Sequence, residues 1–121
     1  MAIFTNLPIY KDSYTLLLEI NRIMPNVSRD CRYSIGQELR KKIMEIIILI
    51  YRANRLRKKV FVIAKMRESL LEVQVYIRLM CDMKYISEGK YIRLVEQTTS
   101  MSKQMAAWEK NEQNKVTDGK A

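Results

Sequence analysis

Five cations fall within eight residues: Arg52, Arg55, Arg57, Lys58 and Lys59. Guanidinium and ammonium groups packed this densely do one kind of chemistry well, holding phosphate or carboxylate oxygens by charge-assisted hydrogen bonds. Around them lie Arg40, Lys41, Lys42, Lys65 and Arg67, so residues 35–67 carry ten cations against two anions, net +8. The rest of the chain is nearly balanced, and this third accounts for almost all of the formal +9. A basic segment of this kind attracts a phosphate polymer or an acidic protein surface. The plain alternative is a solvated helix face, although surface cations are usually interspersed with anions.

Catalytic chemistry finds little support. The chain has no histidine, which removes the imidazole base, Ser-His and Cys-His pairs, and histidine metal ligands. The three glycines, Gly36, Gly89 and Gly119, form no phosphate loop. Glu19, Glu38, Glu45 and Glu72 read better as salt-bridge partners on cationic helices than as a carboxylate pair. Cys31 and Cys81 have no metal or redox spacing, and no disulfide is expected between them. We expect no enzyme activity, no metal and no cofactor. Tyr33, Tyr51, Tyr85 and Tyr91 could stack nucleobases, but Tyr91 and Tyr51 sit at core-like spacing.

These residues need elements to position them. With 121 residues, 3 glycines and 2 prolines, and a composition led by helix formers, the expectation is one all-α domain. A first helix is predicted over 8–24, opened by Pro8 and stopped by Pro25, with Tyr10, Tyr14, Leu17, Asn21 and Met24 as its stripe and Leu18 and Ile20 alongside. Residues 25–33 read as a loop. A second helix, 34–54, starts at a Ser34/Gln37 capping box and carries Ile35, Leu39, Ile43, Ile46, Ile50 and Ala53. A third, 59–83, shows Ile63, Met66, Leu70, Val73, Ile77 and Met80. A fourth, 87–110, is capped by Ser87 and carries Tyr91, Leu94, Thr98, Met101, Met105 and Trp108. Residues 111–121 lose the pattern and read as a disordered tail. No glycine or proline separates the second and third helices, yet one helix from 34 to 83 would be about 75 Å long. A turn is therefore placed near 54–59, with Asn54 as a left-handed cap. The result is an up-down-up-down four-helix bundle over 1–110.

The run Ile46–Tyr51 is apolar in every direction around the helix axis. A bundle helix buries one stripe, so Ile47, Ile48 and Leu49 are expected to face another subunit; the alternative is an over-wide core stripe with one exposed isoleucine. Lys41, Glu45, Ile48, Arg52, Arg55 and Lys59 share a face, which a ring of subunits would turn into a positive belt. Membrane insertion is excluded by length: about 20 apolar residues are needed, and Glu45 and Arg52 bracket the run. The N-terminus lacks the pattern of a signal peptide, so a cytoplasmic protein is expected.

The segments LPIYKDSYTLLLEI (7–20) and MPNVSRDCRYSIGQELRKKIMEIIILIYRANR (24–55) resemble the Avd family, the accessory variability determinants of diversity-generating retroelements. The shared features are Pro-x-Tyr-Lys at Pro8–Lys11, a loop with Pro25, an aromatic-Ser-x-Gly-x-x-Leu start at Tyr33–Leu39, and a helix ending Ala53–Arg55. The likeness spans about 7–110. The four-helix proteins encoded in intervening sequences of 23S ribosomal RNA genes share the architecture, but their Ser-Asn-Ile-Ala-Glu-Gly-like segment has no counterpart here. The resemblance implies a ring-shaped homopentamer with a positive surface that binds the element's reverse transcriptase and handles template RNA or cDNA during mutagenic retrohoming. By resemblance the basic contacts are Arg40, Lys41, Arg52 and Arg55. Lys42, Arg57, Lys58, Lys59, Lys65 and Arg67 join them on charge density alone. Two other classes remain: a structural bundle whose cations meet an acidic protein, and a ribosomal-RNA-associated binding protein.

Overall fold

The computed structural model describes residues 3–117. Four long helices dominate: α1 (Pro8–Ile23), α3 (Ile35–Arg55), α4 (Val60–Asp82) and α5 (Glu88–Thr117), with a single helical turn, α2 (Arg29–Arg32), before α3. Short 3-10 turns at Phe4–Asn6 and Met24–Asn26 bracket α1. Among the described residues there is no strand. Each long helix packs against its sequence neighbour, and α1 also packs on α5, closing a four-helix bundle with α1 and α4 on one diagonal and α3 and α5 on the other.

Periodicity explains most of the core. Leu39, Ile43, Ile46, Ile50 and Ala53 on α3 are fully buried, as are Ile63, Met66, Val73 and Met80 on α4, with Leu70 and Ile77 almost so. Leu94, Thr98, Met101 and Met105 do the same on α5, flanked by half-buried Tyr91 and Trp108. On α1 the expected stripe is one residue out of register. Ile9, Ser13, Leu16, Ile20 and Ile23 are buried, whereas Tyr14 and Asn21 are exposed. The reason is Ser13: its hydroxyl donates to Ile9 O at 2.7 Å, so a satisfied small polar group occupies a core position.

The connections differ more. The expected loop at 25–33 contains the 3-10 turn and α2, held by Arg32, whose guanidinium donates to Met24 O (3.1 Å), Pro25 O (3.4 Å) and Val27 O (3.2 Å). Ser34 does not form the expected capping box. It follows directly on α2, its hydroxyl donates back to Asp30 O, and it makes no side-chain cap for α3. Ser28 accepts from Cys31 N and caps α2 instead, while Ser87 caps α5 as expected, accepting from Lys90 N at 3.2 Å. Asn54 lies inside α3, which ends at Arg55, and Leu56 leaves in extended conformation (φ −81°, ψ 149°). The positive φ among described non-glycine residues belongs to Lys84 (60°), where α4 ends. There Tyr85 N donates to Met80 O and Lys84 N to Cys81 O, a Schellman closure. Helix α5 runs through 111–117, where a disordered tail was expected, and Glu112 is buried with an ion pair to Lys115 at 2.7 Å. Residues 118–121 of that expected tail lie outside the described residues.

Gly36 lies where α2, α3 and the 3-10 turn at Met24–Asn26 meet. A Cβ there would come 2.5 Å from Met24 Sδ and 3.2 Å from Cys31 O. Met24 is itself buried, so its thioether has little room to swing away. Overpacking costs about 1–3 kcal/mol, against a helix-propensity gain of about 1 kcal/mol for alanine over glycine. Gly36→Ala is therefore expected to lower the melting temperature by several degrees in a circular-dichroism melt; a rise would mean that the contact relaxes freely.

Candidate nucleic-acid interface

The ten predicted cations do not form one site. Arg52, Arg55, Arg57 and Lys58 are exposed at the α3–α4 turn, and among the described residues none has a carboxylate within 4.0 Å. Lys59, half-buried, is tied down: its ammonium donates to Ala53 O at 2.8 Å and helps close the C-terminus of α3. Helix α4 begins with no side-chain cap and no acid in its first turn, so its amide donors add to the positive potential of this end.

Two of the predicted residues are held by carboxylates. Lys42 bridges Glu72 on α4 at 2.7 Å and Glu45 on its own helix at 3.2 Å. Its hydrogen bond to Glu72, then that to Glu45, hold its pKa above the usual lysine value. Arg67 pairs with Glu109 across the α4–α5 seam. Lys65 is exposed beside a groove that also contains Glu45, Glu68 and Glu72, so its surroundings are mixed in charge. Arg40 and Lys41 stand toward the other end of α3; Lys41 is eleven residues before Arg52, about 16 Å along the axis.

The predicted subunit contact changes most. Ile47 (7% exposed) and Leu49 (3%) are buried within the single chain, and only Ile48 (45%) faces outward. Helix α3 sits between α1 and α4, so its buried arc is wide enough to take both neighbours of Ile48. The over-wide stripe is thus the arrangement that forms. Further exposed apolar surface lies on α4, at Phe61 (82%), Leu71, Val75 and Leu79, while Met44 is exposed one turn before Ile48 on α3.

Aromatic residues complete this end. Arg55 Nη1 donates to Tyr51 Oη at 2.6 Å, and the guanidinium lies 5.4 Å from the Tyr51 ring centre. Tyr51 also meets Phe4 edge-on at 5.3 Å, and Phe4 meets Tyr10 at 4.6 Å. The expectation that Tyr51 belongs to the core therefore fails, because 40% of it is exposed. At the opposite end, exposed Tyr33 lies between Arg29 and Arg32 at about 6 Å from each. Periodicity passed over Phe4 and assigned Tyr10 and Tyr14 to the core; the competing Ile9/Ser13 register was the available signal.

Three of the acidic residues gather elsewhere. A groove of about 420 Å³ between α1 and α5 is lined by Asp12, Glu19 and Glu96 together with Arg93. Among the described residues no cluster of His, Cys, Asp or Glu fits a metal ion, and no helix is long and apolar enough to cross a membrane. Cys31 is buried, and that burial raises its thiol pKa; Cys81 is half-buried, and both are free thiols. No protein-family model matches the chain, and no curated protein matches it either.

Proposed function

We propose that this chain is a non-catalytic nucleic-acid-binding accessory protein of a diversity-generating retroelement. In this reading it binds the element's reverse transcriptase and its template RNA or cDNA in the cytoplasm, as a ring-shaped homopentamer. The family assignment rests on the sequence resemblance. The observation that supports binding is the cluster Arg52, Arg55, Arg57 and Lys58, left without carboxylate partners among the described residues at one end of a helical bundle. Phosphate contacts give affinity with little sequence readout, which suits a protein handling strands whose sequence changes. Ile48 and the apolar row on α4 are the surfaces that self-assembly or the polymerase would cover.

That apolar row also favours a second reading, a protein-interaction bundle whose cations meet an acidic partner. Fluorescence anisotropy with a structured RNA, on nuclease-treated protein of known mass, separates the two. The expected result is binding that weakens steeply with salt, with a log–log slope of about −0.7 to −0.9 per phosphate neutralised. Absence of binding at low salt would transfer the cations to a protein partner. Co-purification with the reverse transcriptase encoded beside the gene would then be the remaining support for the retroelement assignment.

A further inference from the structure

We infer that the basic end of the bundle carries a stacking platform for single-stranded nucleic acid, formed by Tyr14, Tyr10, Phe4 and Tyr51 and edged by Lys11, Arg52 and Arg55. This rests on the nucleic-acid reading above and names the form of strand that the site takes. Four rings from three separate elements touch in sequence. Tyr14 and Tyr10 lie near-parallel, 6.0 Å apart and 11° from coplanar. Tyr10 meets Phe4 edge-on at 4.6 Å, and Phe4 meets Tyr51 at 5.3 Å.

The inner rings, Tyr10 and Phe4, are half-buried against the core and fix the outer two. Tyr14 (45%) and Tyr51 (40%) present ring surface to solvent. The charges around these rings are cationic. Lys11, exposed, follows Tyr10 by one residue and precedes Tyr14 by three, one helical turn along the same side. Arg52 adjoins Tyr51, and Arg55 holds its hydroxyl. The carboxylates of α1 are drawn to the other side: Asp12 accepts from Ser100 and Gln104 on α5, and Glu19 pairs with Arg93 on α5.

Partly exposed aromatic rings beside cations are an arrangement that binds unpaired strands. Bases stack on the rings, whatever their identity, while phosphates run along the cations. A duplex keeps its base faces internally stacked and cannot use the rings. Arg55 has a double task, fixing the Tyr51 ring while offering its remaining donors to phosphate.

The test uses the full chain and three labelled 12-nucleotide probes: oligo(dT), oligo(U) and an abasic deoxyribose-phosphate strand. Wild-type protein is expected to prefer both base-bearing strands over the abasic one by about tenfold or more. Replacing Tyr14 and Tyr51 together by leucine keeps apolar volume and should erase that preference while leaving abasic binding in place. The Tyr14→Phe, Tyr51→Phe protein keeps the rings and should keep the preference. Equal wild-type affinity for abasic and base-bearing strands would overturn the platform and leave the electrostatic reading standing. A preference that survives the leucine changes would also overturn it. If no strand binds at low salt, both readings fall together.

Discussion

Reversing three charges together, Arg52→Glu, Arg55→Glu and Arg57→Glu, is expected to weaken RNA binding by about a hundredfold or more and to flatten its salt dependence. Each phosphate contact contributes about 0.7–0.9 to the slope of log affinity against log salt, so losing three should reduce it by about two to three. Part of any effect would be structural. Arg52 and Arg55 occupy the last turn of α3, where cations suit the helix dipole by about 0.3–1 kcal/mol each. The matching glutamine protein separates the two terms: it removes the cations without adding anions at the helix end, and should still lose most of the slope. Arg67→Glu provides the contrast, since Arg67 already faces Glu109. It should change binding far less, at a cost in stability. Affinity and slope that survive the triple reversal would show that the α3–α4 turn does not meet phosphate.

The second large effect is on stability. Ile46 is fully buried and Ile48 is 45% exposed, two residues away on the same helix. Ile46→Ala should cost about 2–5 kcal/mol, the lost transfer energy plus the cavity left behind. That is a large part of a typical domain's 5–15 kcal/mol, and urea melts should register it as a shifted midpoint. Ile48→Ala on a dissociated chain should stay within about 0.5 kcal/mol. If copies of the chain cover Ile48, the midpoint of the unsubstituted protein will rise with protein concentration, and Ile48→Ala will lower the midpoint and weaken that dependence. Equal costs at the two positions, independent of concentration, would contradict the burial pattern described for α3.

How far the fold could be read in advance depended on whether period alone decided the matter. On α4 and α5 it did, because apolar residues at alternating steps of three and four leave one buried face; on α3 it found the central stripe but not the wider arc that also buries Ile47 and Leu49. On α1 two stripes competed, one of large tyrosines and one containing Ser13. Side-chain size favoured the wrong one, because a hydroxyl can satisfy itself on the preceding turn. Turn chemistry was hard to read for a related reason. Lys84, not an asparagine or glycine, takes the left-handed position, and the α3–α4 connection contains no left-handed residue: Leu56 is extended and Lys59 is already back in the helical region. The charge cluster was visible as a density. Its division into uncommitted cations and paired ones was not, because Lys42 and Arg67 meet Glu72 and Glu109 only once separate helices are side by side. The aromatic row was hidden likewise: Phe4 and Tyr51 are 47 residues apart and touch across two elements.

The interior that these helices enclose is rich in sulfur. Met24, Met66, Met80, Met101 and Met105 are all buried to 2% exposure or less. A thioether chain is unbranched and polarizable, and it fills irregular space in several rotamers at similar energy. Helices α4 and α5 bring four of these methionines, so a small shift between them is expected to leave less void than the same shift between helices lined by branched side chains alone. Branched Leu, Ile and Val, which dominate α3, resist such motion more strongly. The methionines weigh most on α5, whose buried apolar residues are Leu94, Met101 and Met105, whereas α4 buries Ile63, Leu70, Val73 and Ile77 beside its two; small changes of helix tilt are therefore expected to be absorbed first at α5, diagonal to the helix that ends in the basic turn.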